Sequence, residues 1–229
     1  MDLHAVLFDM DGTLVDTEGL WQQTVVEEAR ELGLRLDGEA VAAFVLGRAV
    51  KDSAAYLASL TGNPTDVHRL CDTLERRFAE VIQHQIVPLP GALSLLDTLH
   101  AAGVPAALVS ASPRTIVDTV LDTLGRQRFA TSFAAGETPE TKPAPDPYQA
   151  AMAALGVDPG HCVAVEDTPT GVASAEAAGC AVVAVPSRTD IAPAPRRTVA
   201  RSLVDVDLDL LRSMLLPSGT GFTPSAGQH

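Results

Sequence analysis

Short apolar runs recur along this chain at 5–9, 105–110, 162–166 and 181–185, with a weaker one at 131–135. Helical patterns separate the later runs, at 92–102, 113–126, 145–156 and 170–178. Each run is too short for a helix of ordinary length and is apolar at successive positions, as in a strand buried on both faces. Strands that alternate with helices cannot pair as hairpins. The pattern therefore predicts an α/β fold, a doubly wound parallel sheet with helices on both faces. Pro113 after Ser112 predicts a helix start with Ser112 as N-cap, and Gly179 after Ala177-Ala178 predicts a helix end.

Residues 17 to 88 interrupt the alternation. They read as helices over 19–32, 37–46, 51–61 and 65–85, with no strand among them. A helical block between the first strand and its crossover helix predicts an inserted second domain. Asp16-Thr17 forms its outward hinge, and Pro88-Leu89-Pro90-Gly91 its return. The expected division is a sheet domain of residues 1–16 and 89–216, a helical domain of residues 17–88, and a disordered tail over 217–229. After residue 186 the sequence turns Pro- and Arg-rich, and a short helix is expected around 205–215.

Composition limits what the chain meets. The content is 46% hydrophobic but only 4% aromatic, so the core must rest on Ala, Val and Leu. Net charge is −13 with no basic run, which argues against nucleic acid or an anionic membrane as partner. A small anionic substrate is compatible with it, because local cations can set the field inside a cleft. Cys71, Cys162 and Cys180 show no paired spacing and read as free, buried thiols. With no leader pattern and no bilayer-length apolar stretch, the expected location is the cytoplasm.

In open parallel sheets, ligands bind beyond the carboxyl ends of the strands, and polar residues collect at that edge here. The run Ala5-Val6-Leu7-Phe8 is followed by Asp9-Met10-Asp11-Gly12-Thr13. Alternate strand residues share a face, so Asp9 and Asp11 point the same way. Adjacent buried carboxylates are costly unless a cation joins them, and hard divalent cations prefer oxygen ligands. The second run delivers Ser110 and Ser112, and the run 162–166 delivers Glu166-Asp167. Lys142 stands in Glu140-Thr141-Lys142-Pro143, ahead of a helix opened by Pro145. Singly, each has a plainer reading: an acidic turn, a strand-ending serine, a solvated lysine, or an acidic cap for a helix near Thr170. Together they describe one metal-assisted site.

These segments resemble the haloacid dehalogenase superfamily of hydrolases, over nearly the whole chain to about residue 186. Its four motifs occur in order: Asp9-Met10-Asp11-Gly12-Thr13, Ser110, Lys142, and Glu166-Asp167 with Gly171. The helical insert is similar to the cap of the phosphoglycolate phosphatase and β-phosphoglucomutase group. The resemblance implies a Rossmann-like core under a mobile helical cap, Mg²⁺ as cofactor, and a small phosphorylated metabolite as substrate. It implies Asp9 as nucleophile and Asp11 as the acid and base. Mg²⁺ would sit on Asp9, the Asp11 carbonyl and Asp167, with Glu166 as ligand or in support. Ser110, Lys142 and the backbone near Met10 and Ala111 would cradle the phosphoryl group. Asp11 argues against dehalogenation, which needs no acid. A phosphomutase is the alternative, and a non-catalytic scaffold stands behind it. The mutase's cap histidine and arginine fall at Trp21 and Val50. Arg48 and Lys51 lie near the second position, and Arg48 is the candidate cap contact to substrate.

Overall fold

The computed structural model describes residues 2–36, 50–61, 66–187 and 189–215. Six strands form one parallel sheet in the order β3-β2-β1-β4-β5-β6. They are β1 (Ala5–Phe8), β2 (Ala106–Val109), β3 (Thr131–Phe133), β4 (Cys162–Glu166), β5 (Ala181–Ala184) and β6 (Arg197–Val199). β1 lies at the centre, with Val6 opposite Ala106 on one side and Val163 on the other. Eight α-helices are described: α1 (Glu18–Glu31), α2 (Val50–Leu60), α3 (Val67–Gln85), α4 (Ala92–Ala101), α5 (Arg114–Leu124), α6 (Asp146–Leu155), α7 (Pro169–Ala177) and α8 (Leu208–Ser213).

The period of two along each strand sorts its side chains to two faces. Val6, Phe8, Leu108, Val163, Val165 and Val183 join one buried cluster. There they meet Leu95, Leu96 and Leu99 of α4 and Ile116, Val117 and Val120 of α5. The opposite face carries Ala5, Ala107, Ala164 and Ala184, and packs on Tyr148 and Ala151 of α6 and Val172 and Ala175 of α7. Leu7, Val109 and Val182 stand among these alanines, so aliphatic side chains of mixed size fill a core poor in aromatics.

Helices α1, α2 and α3 share a third cluster, of Trp21, Val25, Leu57, Leu70 and Leu74. Buried Glu28 of α1 pairs with Arg77 of α3 at 2.9 Å. The two connections to this layer run side by side, with Leu89 N–H donating to Leu14 O at 2.8 Å. The expected helix 37–46, Arg48 and the tail 217–229 lie outside the described residues. Among the described residues, no helix is long and apolar enough to cross a membrane.

One local expectation is corrected. Ser112 does not cap α5: Pro113 stands at the N-cap with no side-chain hydrogen bond, and the Ser112 hydroxyl donates to Asp11 instead. Where the Pro- and Arg-rich stretch ends, at Arg197, β6 begins, a short edge strand paired with β5 through Val183 and Thr198. Gly179 does end α7, at φ +92°, with its N–H donating to Glu176 O. The cysteines are free as expected, with Cys162 and Cys180 buried and Cys71 half-buried.

Candidate active site

The ladder continues past β1, since Asp9 N–H donates to Val165 O at 2.9 Å. The backbone position of Asp9 is therefore fixed by β4. Beyond it the chain folds back: Thr13, Leu14 and Val15 all donate to Met10 O. Gly12 takes φ +82°, and a Cβ there would lie 2.2 Å from Asp167 Oδ2. Glycine is required both for the turn and for the carboxylate packed against it. Gly171 is required for space alone, because a Cβ would fall 1.9 Å from Glu166 Oε2.

Asp9, Glu166 and Asp167 are buried, and each offers an oxygen within 4.8 Å of the others. Lys142 lies among them with its side chain only 6% exposed. It donates to Asp9 Oδ1 at 2.7 Å, Glu166 Oε1 at 2.7 Å and Val109 O at 2.9 Å. These three acceptors match the three N–H donors of an ammonium. Burial alone would depress Lys142, but Asp9 and Glu166 outweigh it and hold the ammonium above the ordinary lysine range. Tyr148, fully buried, donates to Glu166 Oε1 at 2.5 Å, and Lys142 Nζ sits 5.1 Å from its ring centre.

Asp11 stands apart from this cluster and is half-buried. Three hydroxyls donate to it: Thr17 to Oδ1 at 2.5 Å, and Ser110 and Ser112 to Oδ2 at 3.2 and 2.8 Å. Burial and the Asp9 charge raise its pKa, and the three hydroxyls oppose the rise. Burial, with Asp9 nearby, pushes Asp167 up to about 7 against a hydrogen bond from Ser187. Burial also raises Glu166 to about 7, opposed chiefly by Lys142.

This arrangement fits a divalent cation. Asp9 Oδ2 is buried without a hydrogen-bond partner, an expensive state for a carboxylate oxygen. Neighbouring carboxylates drive each other's proton affinity up, a cost that a cation between them removes. An all-oxygen donor set of this charge is what a hard divalent ion takes.

The predicted residues Asp9, Asp11, Ser110, Lys142, Glu166 and Asp167 thus converge on one sheet edge. The Met10 side chain is buried in the core and only its backbone borders the site, while Ala111 is exposed beside Ser110. Lys51 is exposed in the first turn of α2. Thr17, Tyr148 and Ser187 were not predicted. Tyr148 reads as core on an apolar helix face, and Ser187 follows Pro186 with no pattern around it. Thr17 lies in the expected hinge, and its hydroxyl's role on Asp11 has no sequence signal.

Known proteins resemble this chain in sequence and in fold. Residues 3–179 match the model of the haloacid dehalogenase-like hydrolases. Protein CbbY of Rhodobacter capsulatus is 34% identical over 199 residues, 82% of this chain and 87% of that protein. Hexitol phosphatase A of Escherichia coli is 33% identical over 191 residues, 83% of this chain and 86% of that one. The crystal structure of CbbY from Rhodobacter sphaeroides in complex with phosphate superposes with a TM-score of 0.78 at 26% identity, covering 91% of this chain and 99% of that chain. The chain belongs to the haloacid dehalogenase-like hydrolase family and is an enzyme of its phosphatase type.

Proposed function

We propose that the chain is a Mg²⁺-dependent phosphatase that hydrolyses a small sugar or polyol phosphate through an aspartyl-phosphate on Asp9. The observation that carries this reading is the free, buried oxygen of Asp9, set beside a cationic lysine and two further carboxylates. Asp9, Asp167 and the Asp11 carbonyl would hold the ion, with Glu166 in support. A bound divalent ion supplies charge neutralisation at the phosphoryl oxygens.

The chain's own groups divide the remaining work. Lys142 fixes the Asp9 carboxylate through Oδ1, which holds it in place as the nucleophile toward phosphorus. As the Asp9–phosphorus bond forms, the bond to the substrate oxygen breaks. Asp11 gives its proton to that departing oxygen. Water then attacks phosphorus and its proton passes to Asp11. The Asp9 carboxylate leaves, and inorganic phosphate is released. The raised pKa of Asp11 suits the first role, and the hydroxyls of Thr17, Ser110 and Ser112 suit the second by stabilising its anion.

Hydrolysis is favoured over phosphoryl return to substrate. Trp21, where the mutase histidine would fall, is 9% exposed and packs edge-on against Phe78. Val50, where the arginine would fall, packs on the same helical cluster. The name of hexitol phosphatase A supports a polyol phosphate as the class. We propose also that residues 17–88 act as a cap over a core of residues 1–16 and 89–216, supported by the separate cluster of α1–α3.

Phosphate release from hexitol phosphates, hexose phosphates and p-nitrophenyl phosphate, with and without Mg²⁺, tests the reading. Metal-dependent release with preference for a polyol or sugar phosphate is expected. Undiminished turnover after exhaustive chelation would overturn the metal assignment. Conversion of a hexose 1-phosphate to its 6-phosphate would overturn hydrolysis.

A further inference from the structure

The fifth strand reaches the site through a residue outside the four sequence motifs. β5 runs parallel to β4, with Glu166 opposite Ala184. Val185 N–H extends that ladder by donating to Glu166 O at 2.8 Å. Continued one for one, that register sets Val185 alongside Asp167 and Pro186 alongside Thr168, so Ser187 follows at the carboxyl end of the strand pair. Ser187 Oγ donates to Asp167 Oδ2 at 2.6 Å. Gly12 closes the same spot from β1, since a Cβ there would lie 3.2 Å from Ser187 Oγ as well as against Asp167. The other oxygen, Oδ1, has only a long contact from Thr13 Oγ1, at 3.5 Å.

Ser187 is exposed as a residue, and an exposed serine can satisfy its hydroxyl with water. Its hydroxyl instead lies at the distance of a charge-assisted O–H···O⁻ bond. An ionised carboxylate offers about four lone-pair sites. One used by Ser187 fixes the carboxylate's rotation and leaves the rest for a cation. Residues that hydrogen-bond a metal's ligands set ligand orientation, and their loss typically weakens metal binding by about 10–100-fold.

We propose that Ser187 is a positioning residue that holds Asp167 for divalent-cation binding. The proposal rests on the reading above, in which Asp9 and Asp167 hold the ion. Ser187 acts through Asp167 and is assigned no contact with substrate. It is also exposed and small, so its replacement removes a hydroxyl without opening the core.

The test is calorimetric titration of Mg²⁺ into the full chain, without substrate, for wild type, Ser187→Ala and Ser187→Thr. Ser187→Ala is expected to weaken the Mg²⁺ Kd by about 10-fold, with Ser187→Thr restoring it to within about 3-fold. Thermal midpoints without metal should coincide in the three proteins, and the rise on adding Mg²⁺ should be smaller in Ser187→Ala. The Mg²⁺ concentration for half-maximal turnover should shift by the factor seen in Kd, with kcat at saturating Mg²⁺ preserved within about 3-fold. An unchanged Kd in Ser187→Ala, beside a wild type that binds Mg²⁺, overturns the role of Ser187 alone. A wild type that binds no Mg²⁺ overturns the metal reading, and this proposal with it.

Discussion

Asp9 has one oxygen engaged by Lys142 and one oxygen free. Asp9→Asn preserves the shape but replaces part of the carboxylate with an amide, a far poorer nucleophile. Turnover is expected to fall below about one-thousandth of wild type, with far-UV circular dichroism unchanged. Activity near wild type in a preparation free of contaminating phosphatase would remove Asp9 from its role. Six site residues were legible in the sequence for one reason: each polar group closes an apolar run or sits between rigid prolines. The residues that escaped act at a distance. Tyr148 meets Glu166 through a phenol on a helix face that otherwise reads as core, and Ser187 meets Asp167 across a strand pair whose register the sequence does not print. Thr17 sits where a hinge was expected, and its hydroxyl's partner, Asp11, lies back across the turn.

The start of α5 is held by an arginine rather than by a cap. Arg114 donates from Nε to Glu137 Oε1 at 2.7 Å and from Nη1 to Ser132 Oγ at 2.9 Å, and a second bond joins Nη2 to Glu137 Oε2. Glu137 also accepts from Ala134 N–H at 3.0 Å. The network ties the first turn of α5 to β3 and its following turn, although it supplies no acceptor for the helix's own first N–H groups. Because the pair is partly exposed, solvent reduces its strength. Arg114→Ala is expected to cost about 1–2 kcal/mol by urea unfolding at neutral pH. Its hydrogen bonds hold the Glu137 carboxyl below its ordinary range. A carboxyl depressed in the folded state contributes stability above its unfolded pKa of about 4.3 and loses it as pH falls further. The deficit of Arg114→Ala should therefore shrink in acid. A constant deficit from pH 7 to pH 3 would show that the arginine acts by packing alone. The bounds of α5 were legible to within two residues, whereas β6 was not, being three residues long with charged neighbours and little apolar pattern.

Helix α3 belongs to two cores at once. Leu70 and Leu74 pack in the helical layer, Ile82 packs with the sheet cluster, and Phe78 touches both. The alternation of runs and helices made the sheet legible, but this sharing was not, because it depends on how a long helix crosses between layers. Trp21, the sole tryptophan, lies in the helical layer, so its fluorescence reports chiefly on that layer. In the wild type its unfolding curve should coincide with that of far-UV circular dichroism. Ile82→Ala is expected to lower stability by about 2–4 kcal/mol and to separate the two curves, with the fluorescence transition first. Coincident curves in the variant would show that the layers are coupled elsewhere. The central place of β1 has a further consequence, for how the protein is made. Its partners are β2 and β4, and Thr13 finds Asp167 only across 154 residues of chain. At about 5–20 residues per second of translation, roughly 8–30 s separate the two. Through that interval the strand that bears Asp9 has left the ribosome without the neighbour that fixes its backbone. An apolar edge waits for its partner, and no phosphate ester can be cleaved until the chain has been synthesised past β4.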